Sequence, residues 1–289
     1  MTALLAGAEC PFEAAGKETY SRRDFEAIAD ITYKAAGILL PEGKAMLVYS
    51  RLTKRLRDTG ITRFSDYIEL MLKDDAEKLR AITLLTTNHT MFFREEHHFD
   101  HFTKELRPQL IDNLLAGKRV RMWSAGSSSG EEVYSLAMTL AGSDKMGARR
   151  FLSKDVAILA SDLSDKVIAK GREGRYAADA VDAVPSALRH AWVKSEGDTV
   201  VIAPELRELV RFKRLNLLTE WPFKGPFDVI FCRNVMIYFD EPTKARLLHR
   251  FEQNLAPGGF LYIGHSERLV GPATDKFTLV GKTIYRKDP

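Results

Sequence analysis

Up to about residue 90 the apolar positions recur every three to four residues, a helical period, and no convincing strand interrupts them. Ser21 predicts an N-cap for "RRDFEAIADITYKAAG", with Asp24 in the first turn and Gly37 at its end. Further helices are expected over "KAMLVYSRLTKRLRD", over "FSDYIELMLKD" with Ser65 as its cap, and over "DAEKLRAITLLTTN". Residues 1–16 are small, mixed and aperiodic, and read as a flexible tail before a helical module over 17–92.

After residue 117 the pattern changes to short β-branched and aromatic runs separated by helical stretches. The expected strands are "RVRMWSA", "DVAILASD", "LVRFKRLNL", "FDVIFCRN" and "GFLYIGH"; helices are expected over "EEVYSLAMTLAG", "SDKVIAKGREGRY" and "EPTKARLLHRFEQNLA". Such alternation predicts an α/β fold, doubly wound and Rossmann-like, with its ligand site at the carboxyl ends of the strands. One segment breaks the rhythm. "HAWVKSEGDTVVIAPEL" reads as a tight antiparallel hairpin, a β-subdomain inserted at about 189–212 of a 93–289 domain. No internal repeat or low-complexity tract is found.

At 289 residues and 45% hydrophobic, the chain can bury a large α/β core beside a smaller module. No apolar run approaches the roughly 20 residues that span a bilayer, and the N-terminus lacks the pattern of a signal peptide, so a cytoplasmic location without membrane insertion is expected. Cys10 and Cys232 read as two free thiols, without the spacing of a metal site. The net charge of +4 is modest, but one helix is lopsided: Met46, Val48, Tyr49, Leu52 and Leu56 fall on one half, and Lys44, Arg51, Lys54, Arg55 and Arg57 on the other. That face either keeps the protein soluble or docks an acidic partner. Nucleic acid is disfavoured, because no aromatics interleave with the basic residues.

The stretch "VRMWSAGSSSGEEVYSLAM" reads as a strand, a small-residue turn and a helix, without the glycine spacing of a dinucleotide loop. Its turn lets a ligand approach the backbone, but Glu131 and Glu132 at the helix start would repel a phosphate and suit ammonium or hydroxyl groups. Asp162, ending the next strand, offers two acceptor oxygens to a ribose diol. S-adenosylmethionine fits both features. Glu131 as ordinary helix-dipole compensation and Asp162 as a structural strand-end acid remain the alternatives.

"TTNHTMFFREEHHF", "WSAGSSSGEEVYSLAM", "ASDLS", "LNLL", "FDVIFCRNVMIYFD" and "GGFLYIGHSE" closely resemble, in order and approximate spacing, the CheR family of chemotaxis receptor methyltransferases, from about Tyr20 to Tyr285. The resemblance implies an all-α N-terminal domain, a Rossmann-like methyltransferase domain and a small β-subdomain. It also implies methyl transfer from S-adenosylmethionine to glutamates on the cytoplasmic methylation helices of chemoreceptors, with S-adenosylhomocysteine as product and no metal. Carried over position by position, the cofactor contacts fall on Asn88, Thr90, Arg94, Glu131, Asp162, Asn216, Leu217, Cys232, Arg233 and Asn234. Arg94, Arg233 and Tyr238 are the implied catalytic residues, with Arg233 and Tyr238 as a substrate clamp. Arg51, Lys54, Arg55 and Arg57 match the family's receptor-facing basic positions.

The hairpin loop in "VKSEGDTVV" is shorter than in relatives that grip a C-terminal receptor pentapeptide, which implies an enzyme independent of that tether. A monomer is expected. His97 and His98 beside Glu95 invite a metal reading, but adjacent helical residues diverge by about 100° and no further ligand cluster accompanies them. Two rival functions are a non-catalytic S-adenosylmethionine-binding signalling module, which loss of Arg94, Asp162 or Arg233 would favour, and a methyltransferase acting on a small carboxylic acid.

Overall fold

A computed structural model describes residues 20–289 apart from Lys224; the expected tail and Cys10 lie outside the described residues. The chain divides between Thr87 and Asn88 into two compact units, upstream of the boundary expected at 92/93.

Among the described residues, the first unit holds four α-helices: α1 (Arg22–Ala36), α2 (Ala45–Asp58), α3 (Phe64–Lys73) and α4 (Asp75–Leu85). Ser21 caps α1 through a reciprocal box with Asp24, and Gly37 closes the helix at φ 67°. The expected cap of α3 is displaced. Phe64 is drawn into the core and begins the helix, while Ser65 lies inside it and donates to Asp66. Asp74 caps α4, accepting from the N–H groups of Ala76 and Glu77. Val48, Leu52 and Leu56 of α2 pack with Ile28, Tyr67 and Met71, whereas Met46 is 40% exposed and leaves the apolar half assigned to it.

In the second unit, α5 (His97–His101), a π turn at Phe102–Leu106 and α6 (Arg107–Leu115) precede the sheet, a run in which no separate helices were expected. Seven strands then form the sheet: β1 (Val120–Ala125), β2 (Val156–Asp162), β6 (Val210–Arg214), β7 (Phe227–Cys232), β8 (Leu255–Ile263), β9 (Phe277–Gly281) and β10 (Ile284–Lys287). Their order is β6-β2-β1-β7-β8-β10-β9: the first five are parallel, β10 runs antiparallel to β8, and β9 pairs antiparallel with β10. The crossover helices include α7 (Glu131–Ala141), α8 (Lys145–Leu152), α9 (Asp165–Glu173) and, after α10 (Ser186–Trp192) and α11 (Pro204–Arg207), α12 (Glu241–Asn254). α7 is buried along its whole length, as a central helix of a parallel sheet requires.

Three departures from the expected elements stand out. α9 stops at Glu173, and Arg175–Ala177 becomes β3, an edge of a small antiparallel sheet with β4 (Val193–Glu196) and β5 (Thr199–Ile202) in the order β3-β5-β4. The insert therefore starts nearer 175 than 189, and its expected last residues belong to β6 of the main sheet. Finally, β9 and β10 complete the sheet where no strand was expected. β9 is an edge strand whose middle residues are exposed, so it lacks the half-buried alternation that marks a strand.

Candidate active site

The strand order reverses at β1, which has β2 on one side and β7 on the other, and a crevice is expected at the carboxyl ends there. Beyond β1 the chain turns through residues 126–130 into α7. Gly126 has φ 82°, and a Cβ on it would collide with Val235 Cγ2, so a side chain has neither the conformation nor the room. The N–H groups of Gly126 and Ser127 donate to the Ser161 carbonyl, and that of Ser128 donates to Asp162 at 3.0 Å. Ser164 N–H donates to the other Asp162 oxygen at 3.0 Å. Burial pushes the Asp162 carboxyl above the usual range while these N–H groups pull it back. Each oxygen keeps acceptor capacity for a ligand hydroxyl.

Residues 88–95 are laid onto this loop. Ser128 Oγ donates to the Asn88 carbonyl at 2.9 Å, and Phe93 N–H donates to Ser135 Oγ of α7 at 2.9 Å. Phe93 and Glu95 have φ of 51° and 58°, a left-handed conformation that costs energy in residues other than glycine and that clusters at functional sites. The Arg94 side chain is half-buried and donates to the His89 carbonyl at 3.3 Å.

Arg233 differs from its implied role. Its side chain is 1% exposed, inserted between Glu132 (3.1 Å) and Glu95 (3.4 Å), and it also donates to the Arg94 carbonyl. A guanidinium so buried and so paired is not presented to an incoming carboxylate. It ties the end of β7 to the start of α7 and to the turn carrying Arg94, which makes it an organiser of the site rather than a clamp on substrate. Burial raises the Glu132 carboxyl, and Arg233 and a 2.8 Å bond from Ser124 Oγ oppose that shift. Burial also works to raise Glu95, but Arg233 and the His265 bonds overcome it and hold that carboxyl below the usual range.

Glu95, His97 and His98 bring one donor atom each within 4.8 Å of one another. The Arg233 guanidinium, 3.4 Å from Glu95, disfavours a cation there. His98 is fully buried and pushed down to about 3 by desolvation, with Arg233 and His97 adding to it, so it is a neutral imidazole.

The remaining implied residues collect at the same end of the sheet. Glu131 opens α7 and accepts from Ser129 Oγ at 2.7 Å. Asn216 and Leu217 follow β6, and Asn216 Oδ1 accepts from Leu218 N–H. Cys232 ends β7 with its thiol fully buried and pushed well up by burial, a small apolar filler rather than a nucleophile. Asn234 follows at φ 59°, and a short 3₁₀ turn, Met236–Tyr238, carries Tyr238, which is half-buried, as is Thr90. Asn88 is exposed.

The donor set fits S-adenosylmethionine. The loop presents acids and serines, Asp162 faces it from β2, and Ser127 Oγ is buried there without a hydrogen-bond partner among the described residues. Glu131 and Asp162, the acids expected from the sequence, and Ser127, which the sequence reading did not name, would hold ammonium and hydroxyl groups.

The basic residues of α2 do not form one uniform face. Arg51 donates to the Leu84 and Thr86 carbonyls at the end of α4. Arg55 makes two bonds to Glu77, at 2.7 and 2.5 Å, and Tyr67 completes that carboxylate, so both serve the fold of this unit. Lys54 and Arg57 are exposed.

Sequence reasoning missed the organising role of two acids, Glu95 and Glu132, on either side of Arg233. A buried arginine at a strand end demands an acid, but which one answers is set by the fold.

Comparison with known proteins agrees with this geometry. Residues 23–86 match the description "CheR methyltransferase, all-alpha domain", and residues 88–286 match "CheR methyltransferase, SAM binding domain". The chain is 44% identical over 260 residues to a probable chemotaxis protein methyltransferase of Rhizobium etli, covering 88% of this chain and 96% of that one. It is 39% identical to chemotaxis protein methyltransferase 2 of Pseudomonas aeruginosa (92% and 93% covered) and 41% identical to the chemotaxis protein methyltransferase of Escherichia coli (90% and 89% covered). With both of its units matched and an acid-lined loop at the switch point of its sheet, the chain belongs to the CheR family of S-adenosylmethionine-dependent methyltransferases.

Proposed function

We propose that this chain methylates glutamate side chains on the cytoplasmic helices of chemoreceptors, giving glutamate methyl esters. The observation that carries the proposal is the approach of Asp162 to the loop of residues 126–130, beneath a strained turn that holds Arg94. The names of the relatives, chemotaxis protein methyltransferases, support placing this methyl transfer in chemotaxis.

The mechanism asks little acid–base work of the protein. A glutamate with a reference pKa of about 4.3 is ionised at neutral pH, so no general base is needed. When bound, S-adenosylmethionine would supply a sulfonium methyl for transfer to a carboxylate oxygen, the carbon–sulfur bond breaking as the oxygen–carbon bond forms and S-adenosylhomocysteine leaving with the electron pair. The chain's residues hold the acceptor in line, and such alignment can remove much of the barrier to a displacement between two bound groups. Arg94, half-buried on its turn, and Tyr238 beyond β7 orient the carboxylate. A weak hold suffices, because charge disappears in the transition state and tight ion pairing would stabilise the ground state instead. Exposed Lys54 and Arg57 draw an acidic helix towards the first unit. β4 and β5 are joined by only Gly197 and Asp198, which supports independence from a receptor pentapeptide.

The experiment is transfer of radiolabel from methyl-labelled S-adenosylmethionine to a chemoreceptor cytoplasmic fragment lacking any C-terminal pentapeptide. Base-labile label released as methanol, and reduced at least about tenfold in Arg94→Ala, is the expected result. Base-stable label, or none while the nucleoside binds, would overturn the proposal.

A further inference from the structure

The turn after β7 is gripped from the neighbouring strand end by one carboxylate. Glu267, 5% exposed, accepts the N–H of Gly264 at 2.6 Å and of Asn234 at 3.0 Å on Oε2, and the N–H of Ile237 at 3.3 Å on Oε1. Asn234 is the left-handed residue of this turn, and Ile237 lies within its 3₁₀ segment, whose leading N–H groups lack partners inside so short a helix. The carboxylate therefore fixes the turn at both of its ends, and these ends adjoin Arg233 and Tyr238.

The fit is close. A Cβ on Gly264 would lie 2.7 Å from Asn234 Nδ2, 2.8 Å from its N and 2.9 Å from Glu267 Oε2. Strands β7 and β8 are already locked by their register, Cys232 opposite Ile263, and by buried Phe231, Ile230 and Tyr262. Glu267 adds nothing to that pairing. Its bonds go to the residues beyond the strands, at the end of the sheet where a ligand crevice is expected.

We propose that Glu267, with Gly264 leaving room for it, is a positioning residue for methyl transfer: its carboxylate clasps the turn Asn234–Tyr238 and so sets Tyr238 against the methyl acceptor. This rests on the methyltransfer reading of the site. The charge and double acceptor character matter, since three N–H donors converge on two oxygens that an amide could only half replace.

Glu267→Gln keeps the shape and turns an NH2 group towards those donors. Expected is a fall in kcat of at least about tenfold, with KM for the receptor fragment and Kd for S-adenosylhomocysteine within about threefold of the parent. Faster amide exchange is expected in the peptide spanning residues 234–238, with β7 amides unchanged. Gly264→Ala reaches the same clasp from the other side and should show the same split; it decides the matter if the glutamine variant does not fold. Parental kcat in either folded variant, or parallel loss of kcat, nucleoside binding and strand protection, would overturn the proposal. Should the parent protein itself fail to methylate the fragment, the glutamate-methylation reading falls alone, and exchange at 234–238 still tests the clasp: unchanged exchange in Glu267→Gln overturns it.

Discussion

Arg55 in the first unit, half-buried, and Arg233 in the second, fully buried, are both paired with buried or half-buried carboxylates, yet one pair is complete and the other is not. Arg55 meets Glu77 with two bonds, Tyr67 donates to the same carboxylate at 2.6 Å, and none of these three side chains has a buried atom without a partner among the described residues. Around Arg233, by contrast, its own Nε, Glu95 Oε2 and His98 Nδ1 are buried with no hydrogen bond among the described residues. A buried unsatisfied group costs about 1–3 kcal/mol, so such a cluster persists only where the surrounding structure imposes it. The closed pair holds helices together; the open network sits at the carboxyl ends of the strands and trades stability for the placement of Arg94 and of the first turn of α7.

The sharpest way to break this contrast is to remove each arginine. Arg233→Met is expected to lose methyl transfer by more than about a hundredfold and also to lose about 3–5 kcal/mol, since Glu95 and Glu132 are left as unpaired buried acids. Arg55→Met strands Glu77 in the same way and is expected to lose about 3 kcal/mol, read by urea denaturation, with kcat kept within about threefold. Loss of kcat in the Arg55 variant at undiminished stability would erase the distinction.

His98 gives a smaller effect. Its folded pKa is pushed from 6.5 down to about 3, so the unfolded state binds the proton first. Stability is full above pH 6.5 and is lost as pH falls through the window towards 3, by roughly 2 kcal/mol at pH 5. Denaturation between pH 7 and 5 should show this slope, and His98→Gln should flatten it. An equal slope in both would show that His98 is not the group responsible.

The smallest effect belongs to the first unit's surface. Lys54→Glu with Arg57→Glu should raise KM for the receptor fragment about three- to tenfold at low salt, with kcat unchanged, and the difference should fade near 0.5 M salt as screening shortens the reach of charge. A salt-independent KM change would place these residues outside the docking face.

Much of this molecule is legible in the sequence because its signals are local. The capping box at Ser21, the period of α2 and the strand-turn-helix of the opening loop follow from neighbours a few residues apart. So does the position of Asp162 at the end of β2. What stayed hidden depends on partners far along the chain. Arg55 and Arg233 look alike as basic residues, and only the fold shows Glu77 22 residues away and Glu132 101 residues away. β3 hid behind a helical pattern, and β9 lacks a buried face because it is an edge.

The central claim, that Asp162 and the loop of residues 126–130 form the nucleoside site, is tested most directly by calorimetric titration of S-adenosylhomocysteine into the parent protein and into Asp162→Ala, each with its melting curve. Loss of a buried carboxylate facing two hydroxyls is worth about 2–3 kcal/mol, so binding should weaken roughly 30- to 150-fold while the variant stays folded. Equal affinity in the two proteins would contradict the account.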